Sequence, residues 1–139
     1  MPIFPSVEWF ERVQQAANDD AGFKALGVCD ANMGVRVDSR AFRVSFRAFQ
    51  CESVEEIDDD GLHPVDFYLE MDHPEWKSLI ENIRKHDEAD AEHTMNTLDL
   101  ARPQGILRSR EPQGATSFLR CHLTVQKYFD NSASIDTAF

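Results

Sequence analysis

Apolar residues near the start of the chain recur at the spacing of a helix face. They are Val7, Phe10, Val13 and Ala17. Ser6 precedes them, and serine often caps helix N-termini because its hydroxyl accepts a hydrogen bond from a free backbone N–H. The pattern predicts a helix over residues 6–18. A short turn over residues 20–26 follows it, and Gly27 ends that turn.

The period then changes from the helical spacing to strict alternation. Residues 29–37 and 41–51 alternate, and the polar residues 38–40 between them indicate a hairpin. Residues 54–57 are compatible with a third, edge-like strand or with a loop. A further strand is predicted over residues 65–71. Alternation with one polar face is typical of a mainly antiparallel sheet that is covered on one face.

The helical period returns after the last predicted strand. Asp72 and Glu75 form the pattern of a capping box. The apolar stripe that follows contains Trp76, Leu79, Ile80 and Ile83. Another helix is predicted over residues 89–100, then a loop over residues 103–114 and a last helix over residues 116–129. The inward side of the last helix is predicted to carry Phe118, Leu119, His122, Val125, Gln126 and Phe129.

The chain has 139 residues, a length that suits one domain. The order of helix, strands and helices predicts an α+β fold in which helices cover one face of a mainly antiparallel sheet. The domain is predicted to span residues 1–139. Residues 1–5 and 131–139 are expected to be loose ends, although Ile135 and Phe139 are apolar enough to dock.

The charge balance argues against several classes of partner. With 25 acidic and 14 basic residues the net charge is −11, which repels the phosphates of nucleic acids and of anionic membranes. No apolar run approaches the roughly 20 residues that a membrane span needs. The first residues lack the basic and apolar regions of a signal peptide. We therefore expect a soluble, cytoplasmic, acidic protein with neither a nucleic-acid partner nor stable membrane insertion.

The three cysteines are Cys29, Cys51 and Cys121. They are scattered, and no C-x-x-C pair is present, so a zinc site or dithiol redox site built from cysteine alone is not indicated. We expect buried, free thiols, because cysteine packs like a small hydrophobic residue.

One acidic stretch could supply metal ligands. On a continuous helix, His86, Asp90 and His93 fall at i, i+4 and i+7, which places two imidazoles and a carboxylate on one face. A solvated acidic linker between helices explains the same residues, and a new helix capped by Asp87 or Asp90 would destroy the alignment. We favour the linker, and predict neither a metal nor any other cofactor.

Acid–base catalysis has only scattered candidates. His122, or His63, could act with Asp66, since such sites are joined in space rather than in sequence. His122 lies on an apolar helix face, where a hydrogen-bonded core histidine is the more common role. No nucleophile elbow or phosphate-binding glycine loop is present. No residue is therefore predicted to be catalytic.

Arginines line one face of the predicted hairpin. Arg43 and Arg47 share a strand face, and Arg36 belongs to the neighbouring strand. Such a group could bind a carboxylate or phosphate through bidentate contacts. The favoured alternative is an exposed sheet face that neutralises nearby acidic residues.

Several local motifs resemble the sterol carrier protein 2 family. The opening residues 4–10 (FPSVEWF), followed by residues 18–20 (NDD) and Phe23, resemble the start of its small bacterial members. Residues 65–69 (VDFYL), followed by Pro74-Glu75-Trp76 and Leu79-Ile80, resemble its last central strand and the following helix. The similarity covers about residues 4–85. Residues 95–103 (MNTLDLARP) lack the family's turn into a final strand, which implies a divergent branch.

This resemblance implies an apolar tunnel between a five-stranded sheet and covering helices. The ligand would be a sterol, a fatty acyl chain or an acyl-CoA, and the family has no characteristic catalytic residue to carry over. The ten phenylalanines against two tryptophans and two tyrosines suit either a solid core or the wall of such a cavity. Apolar binding needs no polar motif, because each buried CH₂ contributes about 0.8 kcal/mol.

The predicted function is a small lipid carrier that serves a partner enzyme or acts alone, as a monomer or a homodimer. Two alternatives stay open: an enzyme for a hydrophobic ring substrate that uses His122 or the His86/His93 pair, and a non-catalytic subunit whose cavity has collapsed into core. The residues predicted to line the cavity are Phe42, Val44, Phe46, Phe67, Leu69, Trp76, Ile80, Met95, Leu98, Phe118, Val125 and Phe129.

Overall fold

The computed structural model describes residues 1–109 and 112–139. Two helices precede four strands, and the other helices follow with a short fifth strand between them. The strands are β1 (Ala31–Val37), β2 (Arg40–Arg47), β3 (Gln50–Ile57), β4 (Phe67–Met71) and β5 (Leu107–Arg108). The helices are α1 (Val7–Asn18), α2 (Ala21–Lys24), α3 (His73–His86), α4 (Met95–Leu100) and α5 (Pro112–Asp130). Two 3₁₀ turns lie at Asp60–Leu62 and Asn131–Ser134.

The strands form one sheet in the order β3-β2-β1-β4-β5. The predicted hairpin is confirmed, since β1 and β2 pair antiparallel from Ala31 opposite Phe46 to Val37 opposite Arg40. The third alternating segment, left open between strand and loop, forms β3 at the edge. Only the β1–β4 pair is parallel among the pairs that the described strands form. The α+β fold with a mainly antiparallel, five-stranded sheet is therefore as expected.

Local capping explains where α1 and α3 begin. The Ser6 hydroxyl accepts a hydrogen bond from the Trp9 backbone N–H at 3.1 Å. The Asp72 carboxylate accepts one from the Glu75 N–H at 2.9 Å, so both predicted N-termini are confirmed. The residues that these two helices bury are Trp9, Phe10, Val13, Ala17, Trp76, Leu79, Ile80 and Ile83.

The helix predicted over residues 89–100 is shorter in the structure. It begins at Met95, and Thr94 caps it through a hydrogen bond from the Thr97 N–H. Asp90 takes hydrogen bonds from the backbone of Glu92 and from Asn82 instead. Side chains that bind the nearby backbone in this way favour turns over helix.

The last helix, α5, starts earlier than predicted and buries a different set of side chains. Residues 103–114, predicted as a loop, contain β5 and the start of α5, while residues 110 and 111 lie outside the described residues. The centre of the buried face is formed by Cys121, Val125 and Tyr128. Leu119, predicted to face inward, is 66% exposed. The buried residues recur at spacings of three and four positions along one helix face, and His122 and Gln126, also predicted to face inward, are half-buried at its edge.

The two ends of the chain pair with each other, in contrast to the loose ends expected from the sequence. The Phe4 N–H donates to the Ala138 carbonyl at 2.8 Å, and the Ala138 N–H donates to the Pro2 carbonyl at 3.0 Å. The Trp9 indole N–H donates to Thr137 Oγ1 at 2.9 Å. Hydrogen bonds between distant parts of the chain leave no periodic signal, which is why they escaped prediction.

A disulfide joins Cys29 to Cys121, so the expectation of three free thiols was wrong for this pair. Their Cα atoms lie 5.6 Å apart, and 92 positions separate them in the sequence. Local cysteine spacing cannot indicate so distant a pairing. Cys51 is free and buried as expected, and burial raises the pKa of its thiol to about 12.

The connection from β3 to β4 crosses the outer face of the sheet, because these strands lie on opposite sides of β1 and β2. We call residues 58–66 the connector. Its Leu62 is buried, and Gly34 of β1 provides the space beneath it. A Cβ at Gly34 would lie 2.7 Å from Leu62 Cδ2 and 2.6 Å from Tyr68 Cβ.

Replacing Gly34 with alanine should therefore force the connector or β4 to shift. We expect Gly34→Ala to lower the free energy of unfolding by about 1–3 kcal/mol, as overpacking does elsewhere, measured by urea denaturation. Gly22→Ala is the matched control: its Cβ would meet only side-chain atoms of Asp20 and Lys127, at 3.2 Å and beyond, and should change stability by less than about 0.5 kcal/mol. Equal effects of the two changes would contradict the close approach at Gly34.

Candidate functional site

The residues predicted to line a cavity meet in one layer between the sheet and the helices. We call this set the inner layer. Phe42, Val44 and Phe46 come from β2, Phe67 and Leu69 from β4, Trp76 and Ile80 from α3, Met95 and Leu98 from α4, and Phe118, Val125 and Phe129 from α5. All are buried except Leu98, which is partly buried and packs against the others. The topology thus brings together residues that are far apart in sequence.

Aromatic rings fill the inner layer. The Phe67 and Phe118 ring centroids lie 5.4 Å apart, edge to face. Trp76 and Phe129 lie 5.3 Å apart. These separations are typical of packed aromatic pairs. The sequence resemblance implied an open tunnel in this layer; in the structure these two pairs of rings are in contact.

Five clefts described on the molecule have volumes between about 240 and 600 Å³. Of the inner-layer residues, only Ile80 lines any of the five; its cleft, of about 510 Å³, also involves Met1, Arg84 and Phe139. An apolar ligand that reaches the rest of the inner layer would have to displace side chains that now touch each other.

One of the five clefts lies between the connector and the start of α5. We call it the α5–connector cleft; its volume is about 240 Å³, and it is lined by His63, Pro64, Val65, Asp66, Gln113, Gly114 and Ser117. The helix approaches the connector closely at Gly114, where a Cβ would overlap the Asp66 carbonyl oxygen and the Ser109 side chain.

Each wall of this cleft continues directly into an aromatic ring of the inner layer. Phe67 follows Asp66 along the connector wall, and Phe118 follows Ser117 along the helix wall. These two rings are in contact. Val65 was predicted on a strand and Asp66 was a candidate for an acid–base pair, but no sequence pattern indicates a cleft, since the opposite wall begins in a segment predicted as loop.

The acidic stretch with two histidines forms a hydrogen-bonded turn around Asp90 rather than a helix face, and we call it the Asp90 turn. Helix α3 ends at His86, so the spacing that would align His86, Asp90 and His93 is not formed. His93 Nδ1 lies 2.7 Å from an Asp90 oxygen, while His86 Nε2 is 4.0 Å from the other oxygen. No group of three or more potential ligands within residues 1–109 and 112–139 is arranged to hold a metal ion.

The two histidines that were candidates for proton transfer lie in different surroundings. His122 Nδ1 lies 2.8 Å from the Leu119 carbonyl oxygen on its own helix. His63 and Asp66 both line the α5–connector cleft, but Asp66 already accepts a hydrogen bond from the Asn32 N–H at 2.7 Å. His122 does not line this cleft with Asp66, so the geometry provides no acid–base site that these two residues share.

The arginines of the outer sheet face are paired with carboxylates. The pairs are Arg36 with Asp59, Arg43 with Glu55 and Arg47 with Glu52. All three pairs are exposed or half-exposed, where such ion pairs stabilise a fold little. The face therefore neutralises acidic residues, as the favoured interpretation of the sequence had it.

No family model matches this chain, and no curated protein matches it. A solved structure, "Crystal structure of sterol carrier protein 2", superposes with a TM-score of 0.67, covering 94% of this chain and 98% of that one at 11% sequence identity. The chain therefore has the sterol carrier protein 2-like fold. No helix of the described residues is long and apolar enough to cross a membrane.

The Asp90 turn gives a pH-dependent prediction. The hydrogen bond from His93, followed by that from Asn82, lowers the pKa of Asp90 from 3.8 to about 2. Because the folded pKa is depressed, the stabilisation is present above the unfolded value and is lost as the pH falls through about 2. We expect carboxyl NMR titration to give that value, and His93→Ala to raise it towards 3.8.

His86→Ala is the matched control for this titration. At 4.0 Å its ring nitrogen is beyond hydrogen-bond distance from Asp90, so this change should leave the pKa of Asp90 almost unchanged. A wild-type pKa near 3.8, or equal shifts in the two variants, would contradict the hydrogen bond between His93 and Asp90.

Proposed function

We propose that this chain is a cytoplasmic carrier of one apolar ligand, an acyl chain or a sterol, held between β4 and α5 for delivery to a partner enzyme. The observation that supports this site best is the α5–connector cleft, whose two walls lead into Phe67 and Phe118. The ligand would pass between these rings and lie against the inner layer.

The α5–connector cleft is too small for the proposed ligand and must widen before the ligand can bind. Binding pockets for small molecules typically measure about 300–1,000 Å³, and the α5–connector cleft has about 240 Å³. Separating Phe67 from Phe118 would join this cleft to the inner layer. Each CH₂ of the ligand that leaves water contributes about 0.8 kcal/mol, so an acyl chain can compensate for the lost contact between the rings.

The chemistry of the cleft suits a ligand with one polar end. Its lining includes the polar side chains of His63, Asp66, Gln113 and Ser117, while the layer behind it is apolar. A carboxyl or hydroxyl group could stay among these polar side chains while the hydrocarbon part is buried. No reaction is needed for this role.

The fold supports the proposal at the level of architecture. The solved protein with the same fold is named as a sterol carrier. A fold hosts more than one function, so the argument for this chain depends on its own cleft and inner layer.

A second candidate is a non-catalytic interaction subunit. It is favoured by the packed inner layer together with exposed leucines on the outer face of α5, where Leu119 is 66% and Leu123 58% exposed. In that case the inner layer would serve only as core, and the outer face of α5 would contact another protein.

Ligand uptake by variants of neighbouring residues tests the carrier proposal. Ser117 lines the cleft, and Thr116 beside it is exposed. Ser117→Trp should fill the cleft and weaken binding of a fluorescent fatty acid by about tenfold or more, measured by fluorescence titration under oxidising and reducing conditions. Thr116→Trp should bind like wild type.

Two results would contradict the proposal. Equal binding by both variants would show that the ligand does not pass through the α5–connector cleft. Absence of uptake by wild type under both redox conditions would exclude the carrier function and favour the interaction subunit.

A further inference from the structure

The disulfide connects the covering helix to the centre of the sheet. Cys121 lies in the middle of α5, and Cys29 stands just before β1. Both residues are buried, with 1% and 2% exposure. Cys121 is also one helical turn beyond Phe118, whose ring closes on Phe67. The bridge therefore holds α5 next to the proposed path of the ligand.

The C-terminal half of α5 is held by many contacts besides the disulfide. Val125, Tyr128 and Phe129 are fully buried. The Tyr128 hydroxyl donates to the Phe10 carbonyl at 2.9 Å. Asp130 accepts hydrogen bonds from the Ala89 N–H and the Gln126 side chain at 3.1 Å each. This half would keep its position without the bridge.

The N-terminal half, residues 112–120, has weaker contacts among its described side chains. Phe118 is buried against Phe67, and Gly114 approaches the connector. Arg120 reaches the Asp30 carbonyl with an exposed hydrogen bond of 3.4 Å. The remaining described side chains are exposed or half-buried. The disulfide stands at the boundary between this half and the firmly held one.

The third cysteine does not compete for the bridge. Cys51 is buried, and burial raises the pKa of its thiol to about 12. It therefore stays protonated at neutral pH, whereas disulfide exchange needs a thiolate. Reduction of the Cys29–Cys121 bridge thus yields one defined dithiol rather than a mixture of pairings.

A disulfide in a protein of the cytoplasm suggests a regulatory role. Persistent disulfides are rare in the cytosol of ordinary organisms, and those that occur there are usually transient, catalytic or redox-sensing. For a carrier that works in the cytoplasm, as we propose above, a purely structural bridge would be unusual.

We propose that the Cys29–Cys121 disulfide is a redox latch that controls the α5–connector cleft. A cytoplasmic dithiol reduces the bridge: its two thiols become a disulfide, and Cys29 and Cys121 each gain one electron and one proton. Without the bridge, residues 112–120 move away from β4, and the ligand can pass between Phe67 and Phe118. A disulfide compound oxidises the two thiols again: it takes two electrons and two protons from Cys29 and Cys121, is itself cleaved to two thiols, and the re-formed bridge closes the path. This inference rests on the carrier function for its purpose, but the movement of α5 is testable without a ligand.

Hydrogen exchange of the oxidised and the dithiol-reduced wild-type protein tests the latch directly. We expect reduction to speed amide exchange in residues 113–120 by about tenfold or more, because local opening sets the exchange rate. Residues 122–130 and strands β2 and β3 should change little. Alkylation under denaturing conditions should detect one free thiol before reduction and three after it.

Variants separate the latch from general destabilisation. Cys121→Ala should show fast exchange in residues 113–120 with or without reductant, while Cys51→Ala, which keeps the bridge, should respond to reductant as wild type does. Three free thiols in the untreated protein, unchanged exchange in residues 113–120, or an equal increase over the whole chain would each overturn the latch.

Ligand uptake then distinguishes the two proposals. Faster uptake of a fluorescent fatty acid after reduction supports both of them. Equal uptake in the two redox states overturns the latch and leaves the carrier function in place. Local opening without uptake in either state supports the movement of α5 and contradicts the carrier function.

Discussion

The apolar inner face of the sheet is the feature on which the rest of the structure depends. Four of the strands contribute buried side chains to this face, and an apolar sheet face is stable only when another layer covers it. Helices α1, α3 and α5 supply that layer, and their buried faces consist mainly of aromatic and branched residues. The contact between Phe67 and Phe118 stabilises the core. The same contact closes the path that we propose for the ligand. Stability and binding therefore compete for the same side chains.

The single parallel pair in the sheet determines where the proposed site lies. Because β4 pairs with β1 rather than with β3, the chain between β3 and β4 has to cross the sheet. Helices cover the inner face, so the connector crosses the outer face and approaches Gly34 closely. The same crossing brings residues 63–66 to the start of α5. The α5–connector cleft is thus a consequence of the topology. The Cys29–Cys121 bridge acts on the helix that forms its other wall.

Much of the fold could be predicted from local pattern, while the site could not. The caps at Ser6 and Asp72 are local interactions between neighbouring residues, so the starts of α1 and α3 were predictable. Burial of the inner layer follows from periodicity, but periodicity does not distinguish a packed core from the wall of a cavity. The disulfide, the pairing of the chain ends and the α5–connector cleft all join segments that are distant in sequence. The inward face of α5 was misjudged at Leu119, because periodicity does not distinguish an apolar residue beside the buried face from one within it.

The position of a bound ligand tests the central claim most directly, namely that the space between Phe67 and Phe118 opens to hold an apolar chain. Isotope-filtered NMR of the reduced, labelled protein with an unlabelled fatty acid would reveal which side chains touch the ligand. The account predicts contacts from the methylene protons to both rings and to Val125. Contacts confined to exposed residues such as Leu119 and Leu123 would contradict it.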